Sequence, residues 1–170
     1  KRRQTLLFSA TYPVLIKQLS SKFMRDPQTI AVQAKHSSAQ IEQRWYEVSE
    51  KERLHVVSQL LLHFRPASTI AFCNTKAQCR DLVAVLQAQG FSALALFGEL
   101  EQRERDQVLV RFANRSCSVL VATDVAARGL DIASLAAVIN VDVTPDPEVH
   151  IHRIGRTGRG DAEGLAPVSY

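Results

Sequence analysis

An α/β fold built on a mostly parallel sheet is what this sequence predicts, from three observations. Apolar stretches of strand length alternate with stretches of helical period, the pattern of strand-helix-strand crossovers. Most of the strand-length stretches are continuous apolar runs such as Ile70-Ala71-Phe72 and Val119-Leu120-Val121, as in strands covered on both faces. Hydrophobic residues make up 46% of the 170 and charged residues 22%, enough to bury a core and too apolar for a long disordered tail.

In chain order, Thr5 to Ala10 is the first strand candidate, followed by a helix that Pro13 opens at its first turn and by a second strand from Thr29 to Val32. Residues 33–40, polar around Lys35, His36, Ser37 and Ser38, read as a linker. The block before it, 1–32, is too small to cover both faces of a sheet and is expected to be the tail of a preceding domain. Residues 41–170 are expected to form the main domain, cut inside or just after its last strand. Its strands are Gln43 to Val48, Thr69 to Cys73, Ala93 to Phe97, Val119 to Ala122, Ala137 to Val141 and Gly164 to Ser169. Ser49 and Glu52 form a capping box for a helix striped by Leu54, Val57, Leu61 and Phe64. Thr75 caps the next helix, with Leu82, Val85 and Leu86 on its apolar face and Gly90 as its stop. A third helix runs from about Glu101 to Phe112, and a fourth from Pro147 to Ile154.

No apolar run approaches the ~18 residues that a bilayer crossing requires, and Lys1-Arg2-Arg3 is not followed by the apolar core of a signal peptide, so no membrane partner is expected. Cys73, Cys79 and Cys117 are odd in number and lack C-x-x-C spacing, which argues against a disulfide framework or zinc ribbon and for a reducing, cytoplasmic setting. The net charge of +4 is small, but 15 of its 21 cations are arginine, the side chain suited to gripping phosphate or carboxylate with a planar fork. On composition alone, a basic solvated surface fits equally well.

Ligands of parallel sheets gather at the carboxyl ends of strands, and the polar residues of interest fall there. They are Asn74-Thr75, Gly98 with Gln102 and Arg105, Thr123-Asp124, and Arg128-Gly129-Leu130-Asp131. Gln102 and Arg105 share the helix side of Leu109 and Phe112, so they either reach a ligand over the sheet edge or, for Arg105, pair with Glu101 or Asp106. The strongest signal is His152 to Gly160, where Arg153, Arg156 and Arg159 recur every three residues between three glycines. A backbone that can approach a phosphate while forks converge on it favours a folded phosphate site over a disordered Arg-Gly segment or a solvated loop. His150 and His152 lack partners for a protein-held metal. Neither a G-x-S-x-G elbow nor a G-x-x-x-x-G-K-[ST] loop occurs, so the chain resembles half of an active site.

Taken together, the motifs resemble the second RecA-like lobe of DEAD-box ATP-dependent RNA helicases. Ser9-Ala10-Thr11 is similar to the family's S-A-T motif, Ile70 to Thr75 to motif IV, Gly98 to Arg105 to the G-x-x-x-Q-x-x-R element, Val121 to Asp131 to motif V, and His152 to Arg159 to motif VI. The resemblance implies a three-layer RecA-like αβα lobe that binds ATP with Mg2+, and RNA, jointly with a first lobe carrying the P-loop. Residues 1–32 would then be the remnant of that first lobe. It further implies Arg156 and Arg159 as catalytic arginine fingers on the γ-phosphate and Asp131 as the ATP-ribose contact. Thr75, Gly98, Gln102, Arg105 and Thr123 would lie at the RNA backbone, and Ser9, Thr11, Arg128 and His152 would couple the RNA and ATP sites. Glu101 to Gln107 and Asp146 to His150 are most similar to the bacterial DbpA-like group associated with ribosomal RNA, so structured or ribosomal RNA is the expected partner of a monomer. Two departures stand out: Phe97 takes the place of the usual His, with loss of any hydrogen bond made there, and Gly160 to Gly164 is more acidic than usual. A DNA helicase lobe and a stand-alone RNA-binding regulatory module are the alternatives.

Overall fold

The computed structural model describes residues 4–8, 14–30, 41–128, 135–157 and 164–169. Backbone contacts divide the chain into two units, Lys1–Lys35 and His36–Tyr170. In the first unit the helix α1, Val14–Phe23, forms, whereas residues 4–8 carry no strand. Leu6, Leu7 and Phe8 are exposed there, and a strand without a neighbour has nowhere to send its backbone hydrogen bonds. The expected strand from Thr5 is therefore corrected over its described part.

The second unit contains, in order, β1 (Ile41–Tyr46), α2 (Arg53–Phe64), β2 (Thr69–Phe72), α3 (Lys76–Ala88), β3 (Ala93–Leu96), α4 (Gln102–Ala113), β4 (Val119–Ala122), α5 (Asp124–Ala127), β5 (Ala137–Asn140), α6 (Pro147–Ile154) and β6 (Gly164–Ser169). The strands form one sheet of order β1-β6-β5-β2-β4-β3, and each of its five pairings is parallel.

Register explains the two-sided core. Ala71 stands opposite Val121 and Ile139, and these join Val57 and Leu61 of α2 and Cys79, Leu82 and Leu86 of α3 on one face. One residue earlier, Ile70 stands opposite Leu120 and Val138, and these pack with Phe112 of α4 and Ala126 of α5 on the other. A run such as Ile70 to Phe72 must be apolar throughout because its two faces are buried in different clusters.

Local chemistry fixes the helix ends. Thr75 Oγ1 accepts the Gln78 N–H at 3.2 Å and starts α3. Gly90, at φ +85°, ends it in a Schellman motif: its N–H donates to the Gln87 carbonyl, and the Phe91 N–H to that of Leu86. The capping box expected at Ser49 and Glu52 does not form. Ser49 Oγ donates to Glu52 Oε2 at 2.6 Å, Glu52 itself is the N-cap of α2, and no side chain caps it. The reciprocal arrangement occurs instead at α4, between Glu101 and Glu104.

Candidate functional site

The chain leaves β2 for α3 on one face of the sheet and leaves β5 for α6, whose Arg153 lies over Phe72, on the other. Adjacent strands whose connections diverge open a crevice at their carboxyl ends, where α/β sheets bind ligands. Asn74 and Thr75 follow β2 at this edge, Asp142 follows β5, and Thr123 and Asp124 follow β4.

Arg153 fills the base of that crevice. Its side chain is only 1% exposed. The fork grips Asp124 bidentately, with Nε on Oδ1 at 2.7 Å and Nη2 on Oδ2 at 2.6 Å. Nη1 donates to Asn140 Oδ1 at 3.1 Å and to the Asp142 carbonyl at 2.8 Å, and Nη2 also to Asn74 Oδ1 at 3.3 Å. A guanidinium has five N–H donors, and all are committed to protein acceptors. The sequence expectation that Arg153 converges with Arg156 and Arg159 on a phosphate is therefore corrected: Arg153 has no donor to give. Gly155 is the C-cap of α6, so Arg153 lies on the helix and Arg156 beyond it, on different sides of the point where the three-residue spacing loses its meaning.

Asp142 is the second junction. It accepts from Arg53 Nη1 at 2.6 Å, Gln78 Nε2 at 3.0 Å and the Asn74 N–H at 2.9 Å, tying the starts of α2 and α3 to the end of β5. Two arginines and two aspartates balance in charge, as buried ions must. Neither Asp142 nor the role of Arg153 was singled out from sequence. The signal was there in Ile139-Asn140-Val141-Asp142: polar groups inside a buried strand end require donors.

Arg156 stands just past α6 on a braced backbone. Its N–H donates to the Arg153 carbonyl at 3.2 Å, and its own carbonyl accepts the Leu135 N–H at 3.1 Å. The buried Thr157 Oγ1 donates to the Leu135 carbonyl at 2.6 Å. At Gly155 a Cβ would meet the Ile151 carbonyl oxygen at 3.0 Å, so a side chain there would press on the last turn of α6. The other expected finger, Arg159, lies outside the described residues, as do Asp131, Ser9 and Thr11.

Of the expected RNA contacts, Thr75 and Gln102 are exposed and Thr123 half-buried, and Gly98 faces open space, with no atom within 4 Å of a Cβ placed on it. Gln102 Nε2 donates to Asp106 Oδ1 at 2.7 Å. Arg105, half-buried, pairs with neither Glu101 nor Asp106; its Nη2 donates to the Ala126 carbonyl at 2.6 Å and so joins α4 to α5. Arg128 and His152 are exposed. Phe97 belongs to the buried cluster beneath α2 and α3, and the Arg80 guanidinium carbon lies 4.9 Å from its ring centroid. In place of a hydrogen bond this position makes apolar packing covered by a cation.

Titration follows the same geometry. Burial, and then the charge of Arg153, lower the pKa of His150, whose Nε2 lies 3.1 Å from Gln43 Oε1. All three cysteines are free and buried. The neighbouring Cys79 thiol and burial hold the Cys73 thiol far above its ordinary range, which leaves it inert as a nucleophile.

Residues 52–161 match the family described as "Helicase conserved C-terminal domain". The chain is 53% identical over 164 residues to the ATP-dependent RNA helicase DbpA of Escherichia coli, covering 96% of this chain and 36% of that protein. It is 46% identical over 165 residues to the ATP-dependent RNA helicase CshA of Listeria monocytogenes, covering 96% and 32%. It thus spans about a third of the length of these curated relatives. Among solved structures, S. cerevisiae Dbp5 bound to RNA and ADP BeF3 superposes with a TM-score of 0.84 at 30% identity, over 96% of this chain and 44% of that one. The three-layer sheet is accordingly RecA-like.

Proposed function

Because the chain belongs to the helicase conserved C-terminal domain family, as a DEAD-box RNA helicase lobe, we propose that it is the second lobe of an RNA-dependent ATPase that separates short RNA duplexes. ATP would lie between this lobe and a first lobe carrying the P-loop, and supplies the free energy of its γ-phosphate hydrolysis. In this reading the lobe offers guanidinium to the triphosphate, and Mg2+ would be held by carboxylates of the first lobe.

The braced position of Arg156 carries this reading. Arg153 is spent on holding α6 to Asp124, and the residues beyond the helix are anchored through Leu135. A side chain rooted on a backbone held in this way needs less ordering to meet developing phosphoryl charge, and arginine fingers are worth roughly 10³ to 10⁵ in rate. Arg159 and Asp131 are proposed as the second finger and the ribose contact. Thr75, Gly98, Gln102, Arg105 and Thr123 would line the RNA backbone, with the 2′-hydroxyl as the basis for preferring RNA. Ser9, Thr11, Arg128 and His152 would couple the two sites. The likeness to DbpA supports structured or ribosomal RNA as substrate, and three free thiols support action in the cytoplasm.

The test is ATP turnover by the full-length enzyme with RNA and with DNA, for the native protein and Arg156→Ala. RNA-stimulated turnover that falls by about 10³ or more in the variant, with RNA binding retained, is the expected result. Stimulation by DNA alone, or unchanged turnover in the variant, refutes the proposal.

A further inference from the structure

Arg80 has no place in the motifs considered so far, yet it stands where an RNA contact would be useful. Lys76 and Arg80 are one turn apart on α3 and so share a face, directly after the Thr75 cap. Across from them is the loop that follows β3, with Phe97, Gly98 and Glu99. Lys76 Nζ pairs with Glu99 Oε1 at 2.5 Å, and both side chains are more than half exposed. Arg80 is exposed as well, but its guanidinium is laid over the Phe97 ring, which is itself 8% exposed. A guanidinium held over a buried ring is restrained in position while its N–H groups stay open to solvent. Lys76, by its hydrogen bond and charge, and to a smaller degree the charge of Arg80 hold the Glu99 carboxyl below its ordinary range, beside an open glycine.

We propose that Arg80 is an additional RNA-phosphate contact, aligned by Phe97, and that Glu99 occupies the neighbouring Lys76 until an incoming phosphate displaces it. The proposal rests on the RNA-binding reading above and extends that surface by one turn of α3. It also gives the Phe97 departure a purpose: an aromatic face can orient an arginine, and binding then loses less side-chain entropy. Contacts of this kind add affinity and salt dependence without reading sequence.

The test is binding of a fluorescein-labelled single-stranded oligouridine of about ten nucleotides, followed by anisotropy across a potassium chloride series. Arg80→Gln should weaken binding about two- to fivefold, the range of one exposed ion pair. It should also reduce the slope of log affinity against log salt by about 0.7, the value for one phosphate on a single strand. Arg80→Lys should keep the slope, and Glu99→Gln should tighten binding. An unchanged slope in Arg80→Gln, or weaker binding in Glu99→Gln, overturns the assignment and makes Arg80 a cover for the Phe97 ring. Absence of binding by the unaltered protein at low salt instead overturns the RNA reading beneath it.

Discussion

Replacing Arg153 by Lys keeps the charge and removes the fork, which isolates what the geometry of the crevice requires. The native side chain satisfies five acceptors: both oxygens of Asp124, Asn140 Oδ1, the Asp142 carbonyl and Asn74 Oδ1. An ammonium offers three donors, so at least two acceptors lose their partner. Each buried orphan costs about 1–3 kcal/mol. Asp124, at 28% exposure, and the exposed Asn74 recover some hydration, so the lower part of that range applies to them. The sum is about 2–4 kcal/mol, a large share of the roughly 5–15 kcal/mol that stabilises a domain of this kind. For a chain of this length it corresponds to a fall in Tm of about 6–12 °C. Thermal melts followed by circular dichroism measure it, with Arg128→Lys, on an exposed side chain, as the control expected within about 0.5 kcal/mol of native. An Arg153→Lys protein melting within about 2 °C of native would refute the argument, because Arg153 would then hold its bonds no more tightly than water does.

Two further outcomes follow from local geometry. Arg115 adopts φ +58° at the end of α4, where the Ser116 N–H donates to the Arg111 carbonyl. A side chain strains this left-handed cap, so Arg115→Gly should stabilise the fold by up to about 1 kcal/mol in urea unfolding; a loss of stability would show that the Arg115 side chain outweighs the strain. His150 has its pKa lowered in the folded state, so below its ordinary value the unfolded chain binds more protons. Its contribution is intact above about pH 6.5 and is lost as the pH falls through the lower folded value. Urea midpoints at about pH 7 and pH 5 should separate less for His150→Gln than for the native protein, and an equal separation would assign the pH dependence to other groups.

The sheet was legible because its central strands are short, largely apolar and followed by polar residues at their carboxyl ends: Val119–Ala122, Gly164–Ser169 and the helix Pro147–Ile154 fall where the sequence places them. Caps were less legible. Ser49-x-x-Glu52 has the letters of a capping box, but the chain enters α2 one turn later, while Glu101, a residue type weak at that position, caps α4 through Glu104. Four-residue α5 left no periodic trace, since less than two turns of helix cannot show a stripe. Within the site, sequence located Thr75 and Gly98 at the sheet edge but assigned Arg153 by spacing to the wrong neighbours. A period of three says which side chains lie on one helix face only while the helix lasts. It does not say which of them the aspartate at the start of α5 will claim.

The network around Arg153 also has a consequence for how the protein folds. Arg153 and Asn74 are 79 residues apart in sequence, Arg53 and Asp142 are 89, and Asn74 and Asp142 are 68. No local segment holds enough of these partners to form the crevice ahead of the rest, and loop closure over such separations precedes any stabilisation from the contacts. The crevice therefore cannot form ahead of the sheet that brings its partners together. Nucleotide or RNA affinity should then report cooperatively on the whole sheet, and a mutation at the far end of a strand can silence the site without touching it.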